Sequence, residues 1–202
     1  MKWLFPAAAI AFLMSIMRKK PVIKGPDEPI RLPELTPMGL EEWFGEKMPK
    51  IEINKEITKM SKWQIPERGR PYQNALEVAE QKYNLPHNLL ARVAHQESRF
   101  RPDIITGKTV SSAGAQGIMQ IVPRWHPQVN PLEPMEAIDY AGQYLKNLHR
   151  QFGEWKKALA AYNWGPGNLQ KAIARHGDEW INNLPRETTN YVAQISEDVP
   201  IA

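Results

Sequence analysis

Glu97 closes a run in which Leu90, Val93 and Ala94 stand seven, four and three positions before it, the spacing of one helical face. The glutamate therefore extends an apolar stripe instead of lying on the solvent side. Desolvation disfavours the charged form of a carboxyl, raises its pKa and can hold it protonated near neutrality. That is the state a general acid for a glycosidic oxygen needs. A plainer reading stays open on these residues alone: a helix-end glutamate bonded to a loop N–H or to a cation such as Arg99.

Other side chains suited to binding follow in order. Gly117-Ile118-Met119-Gln120 combines a glycine, which lets backbone approach a ligand closely, with a soft apolar surface and an amide that both donates and accepts. Loop-to-helix packing is the alternative for Met119. Tyr162 and Asn163 end a helical run where a phenol and an amide would face a cleft; core packing and a C-cap are the alternatives. Trp164 has the shape for stacking on a sugar, and Tyr191 could reach the Glu97 carboxyl or serve as core. His95, two positions before Glu97, points elsewhere on a helix and reads as packing or surface. Trp125-His126-Pro127 shapes a cleft wall at most, with packing the favoured reading. The five histidines show no metal-ligand spacing, and no metal or cofactor motif occurs.

Glu97-Ser98, Gly117 to Gln120, Ala161-Tyr162-Asn163 with Gly165-Pro166-Gly167, and Glu187-Thr188-Thr189-Asn190-Tyr191-Val192 together resemble the soluble lytic transglycosylases, which group with goose-type lysozymes. The resemblance covers residues 72–195, with Ile118 where the family pattern has leucine. It implies a lysozyme-like catalytic domain acting on the glycan strands of peptidoglycan. Glu97 would be the single acid/base, and Ser98, Gly117, Met119, Gln120, Tyr162, Asn163 and Tyr191 would contact or position the substrate. The implied route closes a 1,6-anhydro ring on N-acetylmuramic acid without consuming water. Two rivals remain: a lysozyme-like hydrolase in which Asp103 places a water, and an inactive wall-binding module.

The elements that must position these residues are helical from Pro71 onward. Ala75, Leu76, Ala79 and Tyr83 share a face ended by Asn84, and Pro86 stands where a first helical residue would be. The run through Glu97 breaks at Phe100-Arg101-Pro102. Ile138, Ala141, Leu145, Leu148 and Phe152 form a longer stripe closed by Gly153. Shorter stripes follow through Trp155 to Tyr162, Leu169 to Ile173 before Gly177, and Thr188 to Ile195. Residues 108–122 lack a helical period and read as a loop with, at most, a small hairpin. The expected architecture is an all-α dominated domain over 71–195, with a tail at 196–202.

The N-terminal part is of another kind. Residues 3–17 are uncharged and almost wholly apolar, and Arg18-Lys19-Lys20 follows them. The run is short for a spanning helix, which needs about 20 residues. It suits a membrane-associated segment, a signal-like core or a helix buried in an assembly. Prolines 21, 26, 29, 33 and 37 mark an extended spacer, and 38–70 read as linker or docking segment. An envelope location follows, periplasmic-face or virion-associated; the basic flank fits ordinary export poorly and favours a phage particle slightly. The net charge of +4 sits mainly in residues 1–70, and no Lys/Arg run interleaved with aromatics points to nucleic acid. With no cysteine, disulfides and thiolate chemistry are excluded.

Overall fold

A computed structural model describes residues 63–201. The apolar run at 3–17, the spacer and the stretch up to residue 62 lie outside the described residues. From Trp63 the chain enters the domain through a 3-10 turn at Glu67–Tyr72, then α1 at Gln73–Lys82, which buries Ala75, Leu76 and Ala79. Asn84 takes a left-handed conformation (φ 51°) and ends it.

Helix α2 spans Leu89–Ser98. Pro86 lies ahead of it in a turn, its carbonyl accepting from the Leu89 N–H, so it is not the first helical residue. The first amides of a helix have no partner within it. Here the buried Glu80 of α1 supplies one, accepting from the N–H groups of Asn88 (2.9 Å), Leu90 (2.8 Å) and Ala91 (3.1 Å). Arg99 and Phe100 are both left-handed (φ 50° and 52°), which ends α2 immediately beyond Glu97-Ser98. Phe100 then turns inward beneath Gly69, where a Cβ would lie 2.6 Å from its ring. Pro102 ends nothing further; it opens the short α3, Pro102–Ile105.

Between α3 and the next helix runs an irregular stretch. Its small hairpin shrinks to one antiparallel bridge, Gln116 with Ile121, and no strand forms among the described residues. Helix α4 (Pro134–Phe152) ends at left-handed Gly153, α5 spans Trp155–Trp164, and α6 spans Pro166–His176. A 3-10 turn at Gly177–Asn183 leads to α7, Arg186–Asp198. Helix α5, rich in alanine, sits in the middle, packed on α4, α6 and α7; α2 packs on α1, α4 and α7. Leu76, Leu90, Ile138, Leu145, Leu159 and Ile195 meet in the core. The last helix continues past residue 195, Val199 is buried, and Asp198 binds buried Arg92 of α2 at 2.6 Å. Among the described residues no helix is long and apolar enough to cross a membrane.

Candidate active site

Glu97, in the last turn of α2, opens onto a groove of about 780 Å³. One wall is the loop after α3, with Ser111, Ala115, Gln120, Trp125 and His126. The other is helical: Tyr140 and Tyr144 of α4, Tyr162 to Trp164 of α5, Pro166 and Asn168 of α6, and Glu187 of α7. Glu97 itself is half-buried. Burial pushes its carboxyl up to about 7, the nearby Glu187 charge adds to the rise, and the Tyr191 hydroxyl pulls against it. That hydroxyl donates to Oε1 at 2.7 Å. Burial also raises the Tyr191 and Tyr162 phenols well above their ordinary range, so both stay protonated donors.

The loop and α5 are fastened together. The Tyr162 hydroxyl donates to the Met119 carbonyl at 3.0 Å, and Asn163 Oδ1 accepts from the Thr188 hydroxyl at 2.8 Å. Gln120, held left-handed at φ 47°, sends its Nε2 to the Gly117 carbonyl at 3.1 Å. Rings continue the wall: Tyr144 lies 5.8 Å from Tyr162 and stacks at 6.2 Å on Tyr140, and His126 meets both of the α4 tyrosines edge-on. The Tyr140 hydroxyl is shared by His126 Nδ1 and Gln128 Nε2, each at 2.7 Å. Flat apolar faces interspersed with fixed donors and acceptors suit a polar polymer with apolar ring faces.

Of the residues expected at the site, Glu97, Gln120, Tyr162 and Asn163 line the groove together, and Tyr191 stands behind Glu97. Ser98, Gly117 and Met119 do not line it. Ser98 is fully buried; its hydroxyl donates to the Ala94 carbonyl and accepts from the Phe100 N–H, so it shapes the helix end. At Gly117 (φ 74°) the protein itself requires glycine: a Cβ there would fall 1.7 Å from the Pro131 carbonyl oxygen. Met119 is core, with only its carbonyl used.

Asp103 is not on the groove wall. Two guanidinium bonds from Arg101 (2.6 and 3.1 Å) hold its carboxyl down at about 2, helped by the Thr109 hydroxyl. Glu187 is the second carboxylate of the groove, missed in the sequence although it stands four residues before Tyr191 on the same helical face. Tyr140 and Tyr144, also four apart, were missed as well. Packing was the favoured reading for Trp125 and His126; instead Trp125 is 66% exposed and His126 joins the wall. His95 does pack, between Trp63 and Phe100.

A helical domain with one half-buried carboxylic acid in an aromatic groove has the groups that acid–base chemistry on an extended polar chain would need. The chain belongs to the transglycosylase SLT domain family, whose pattern matches residues 74–185, more than half its length. It is 30% identical over 112 residues to the membrane-bound lytic murein transglycosylase F of Stutzerimonas stutzeri, which covers 50% of this chain and 22% of that protein. With the membrane-bound lytic murein transglycosylase D of Escherichia coli K12 it shares 28% over 144 residues, 63% of this chain and 30% of that one. The chain thus spans less than a third of the length of these relatives. Its fold matches that of an inactive glutamate-to-glutamine mutant of the lytic transglycosylase Slt from Pseudomonas aeruginosa, with TM-score 0.52 and 24% identity over 70% of this chain and 25% of that one.

Proposed function

We propose that the domain is a lytic transglycosylase of peptidoglycan with Glu97 as its one acid/base. The observation that carries this reading is the Glu97 carboxyl, half-buried on the groove wall and raised to about 7. Near neutrality it therefore has a proton to give. Tyr191 occupies Oε1 as a donor, so the acid proton belongs on Oε2.

From Oε2 the proton passes to the oxygen bridging N-acetylmuramic acid and N-acetylglucosamine. The C1–O bond breaks, and its electron pair stays with the departing hydroxyl. The acetamido oxygen of the muramic acid stabilises the cation-like C1. Ionised Glu97 then takes the proton of that sugar's C6 hydroxyl, whose oxygen bonds to C1 and closes the 1,6-anhydro ring. Glu97 ends protonated, as it began, and no water is consumed. Gln120, Tyr162 and Asn163 supply polar contacts and the tyrosine rings supply apolar faces. The relatives' names support the substrate, and the inactive glutamine mutant of Slt supports a carboxyl as the working group. The same reading puts the chain at the cell envelope, with residues 3–17 as a tether to a membrane or to an assembly such as a phage particle.

One observation favours a hydrolytic outcome instead: Glu187 lines the groove, where a second carboxylate can orient a water. Digestion of purified peptidoglycan by the full chain and by its Glu97→Gln variant, followed by mass spectrometry of the muropeptides, separates the two. Anhydro ends that vanish in the variant support the transglycosylase. Reducing ends that vanish in the variant assign a hydrolase. Strands bound but not cut by the folded chain would make it a wall-binding module.

A further inference from the structure

Trp125 is the most exposed large apolar side chain among the described residues, at 66%. It is not on a loose tip. The N–H groups of Trp125 and His126 both donate to the Val122 carbonyl, at 3.0 and 3.1 Å, and the His126 ring is pinned to the Tyr140 hydroxyl. A braced turn therefore holds the indole out at the edge of the groove. Across the indole face lies the guanidinium of Arg124, 4.3 Å from the ring centroid. Arg124 is exposed, and its guanidinium has no carboxylate or hydrogen-bond partner among the described residues.

The carboxyls of the groove, Glu97 and Glu187, belong to helices α2 and α7, whereas the Arg124 guanidinium lies over the ring of Trp125, a residue of the opposite, loop wall. An anionic substituent would be turned away from the exposed Glu187 and attracted to Arg124. A guanidinium already stacked on an aromatic ring has lost part of its freedom and still presents an N–H fork suited to a carboxylate. The indole beside it suits methyl groups and methylenes. Paired in this way, the two side chains fit an anionic peptide more closely than a neutral sugar.

We propose that Arg124 and Trp125 form a subsite for the anionic stem peptide carried by the N-acetylmuramoyl residue, so that the domain engages peptide-bearing strands in preference to denuded ones. The strand itself rests on the functional reading above. A bare sugar stacked on Trp125 is the competing occupant, and it would give no dependence on Arg124.

The test is calorimetric titration of the full chain carrying Glu97→Gln with soluble glycan strands, either peptide-bearing or stripped of their peptides by an amidase. Peptide-bearing strands should bind about five-fold more tightly, a difference that shrinks with added salt. Arg124→Gln should erase the difference and leave the affinity for denuded strands unchanged. Trp125→Ala should weaken peptide-bearing strands more than denuded ones. Equal affinity for the two strands, or equal weakening of both by either substitution, overturns the subsite. Binding needs no cleavage, so the two readings fail separately. Preference without muropeptide release by the unsubstituted chain leaves the subsite standing and removes the transglycosylase; release without preference does the reverse.

Discussion

The hydroxyl of Tyr191 and the carboxyl of Glu97, 94 residues apart in the chain, meet at 2.7 Å. Because the phenol stays protonated and donates to Oε1, it leaves Oε2 as the oxygen for a carboxyl proton and fixes the direction in which that proton points. In the proposed mechanism it would also stabilise the carboxylate left after transfer, the base of the second step.

Removing that hydroxyl separates the two effects. Tyr191→Phe should lower kcat about ten-fold, the scale of a lost positioning bond. Tyr191 holds the Glu97 pKa down, so its loss should move the alkaline limb of the kcat/KM profile to higher pH. A profile that falls in height with no shift would leave Tyr191 as packing alone.

Glu187 acts in the opposite direction. Its charge raises the Glu97 pKa, so Glu187→Gln should move the same limb to lower pH. The shift should be smaller at high salt, because Glu187 is exposed. If the substitution instead abolishes turnover and the native products carry reducing ends, Glu187 is the water-positioning base of a hydrolase.

Glu97→Gln should cost at least about a hundred-fold in cleavage and yet stabilise the fold. The sign follows from linkage. A carboxyl raised from 4.5 to about 7 in the folded state favours folding at low pH, and that contribution is lost as pH rises through 7. At pH 8 the neutral amide should therefore be more stable than the native carboxylate by about 2 kcal/mol, a difference that disappears below the unfolded pKa, near pH 4. Thermal melts of both proteins at the two pH values measure it. A variant less stable than the parent at pH 8 would contradict a strained buried charge.

Gly117→Ala should lose about 3 kcal/mol or fail to fold, since it adds a left-handed penalty to a clash with the Pro131 carbonyl. Gly114, equally left-handed but with open space around it, isolates the first contribution: Gly114→Ala should cost only about 1 kcal/mol. Urea unfolding of the pair compares them directly.

Much of this arrangement was legible before any coordinates. The stripe Leu90, Val93, Ala94 and Glu97 identified both the helix and its half-buried carboxyl, and Gly153 marked the end of α4, because helical period and left-handed caps are local properties of the chain. Direction around a loop or turn is not local. Ser98 and Met119 are adjacent to lining residues in sequence, and nothing in their spacing says that one faces the backbone of its own helix and the other the core. Pro86 was misjudged for a related reason: the amides that open α2 are met by Glu80 from another helix, so the start of α2 depends on tertiary contact. Glu187 enters the site only because α7 docks beside α5, where Thr188 reaches Asn163.

That docking carries a consequence for synthesis. The carboxyl arrives on α2, the loop that faces it follows, and the phenol that orients it comes last, on α7, together with the Asp198 that ties α7 to Arg92. A nascent chain emerging N-terminus first therefore carries this carboxyl unoriented until α7 has left the ribosome and docked. Any cutting by Glu97 would wait on that helix.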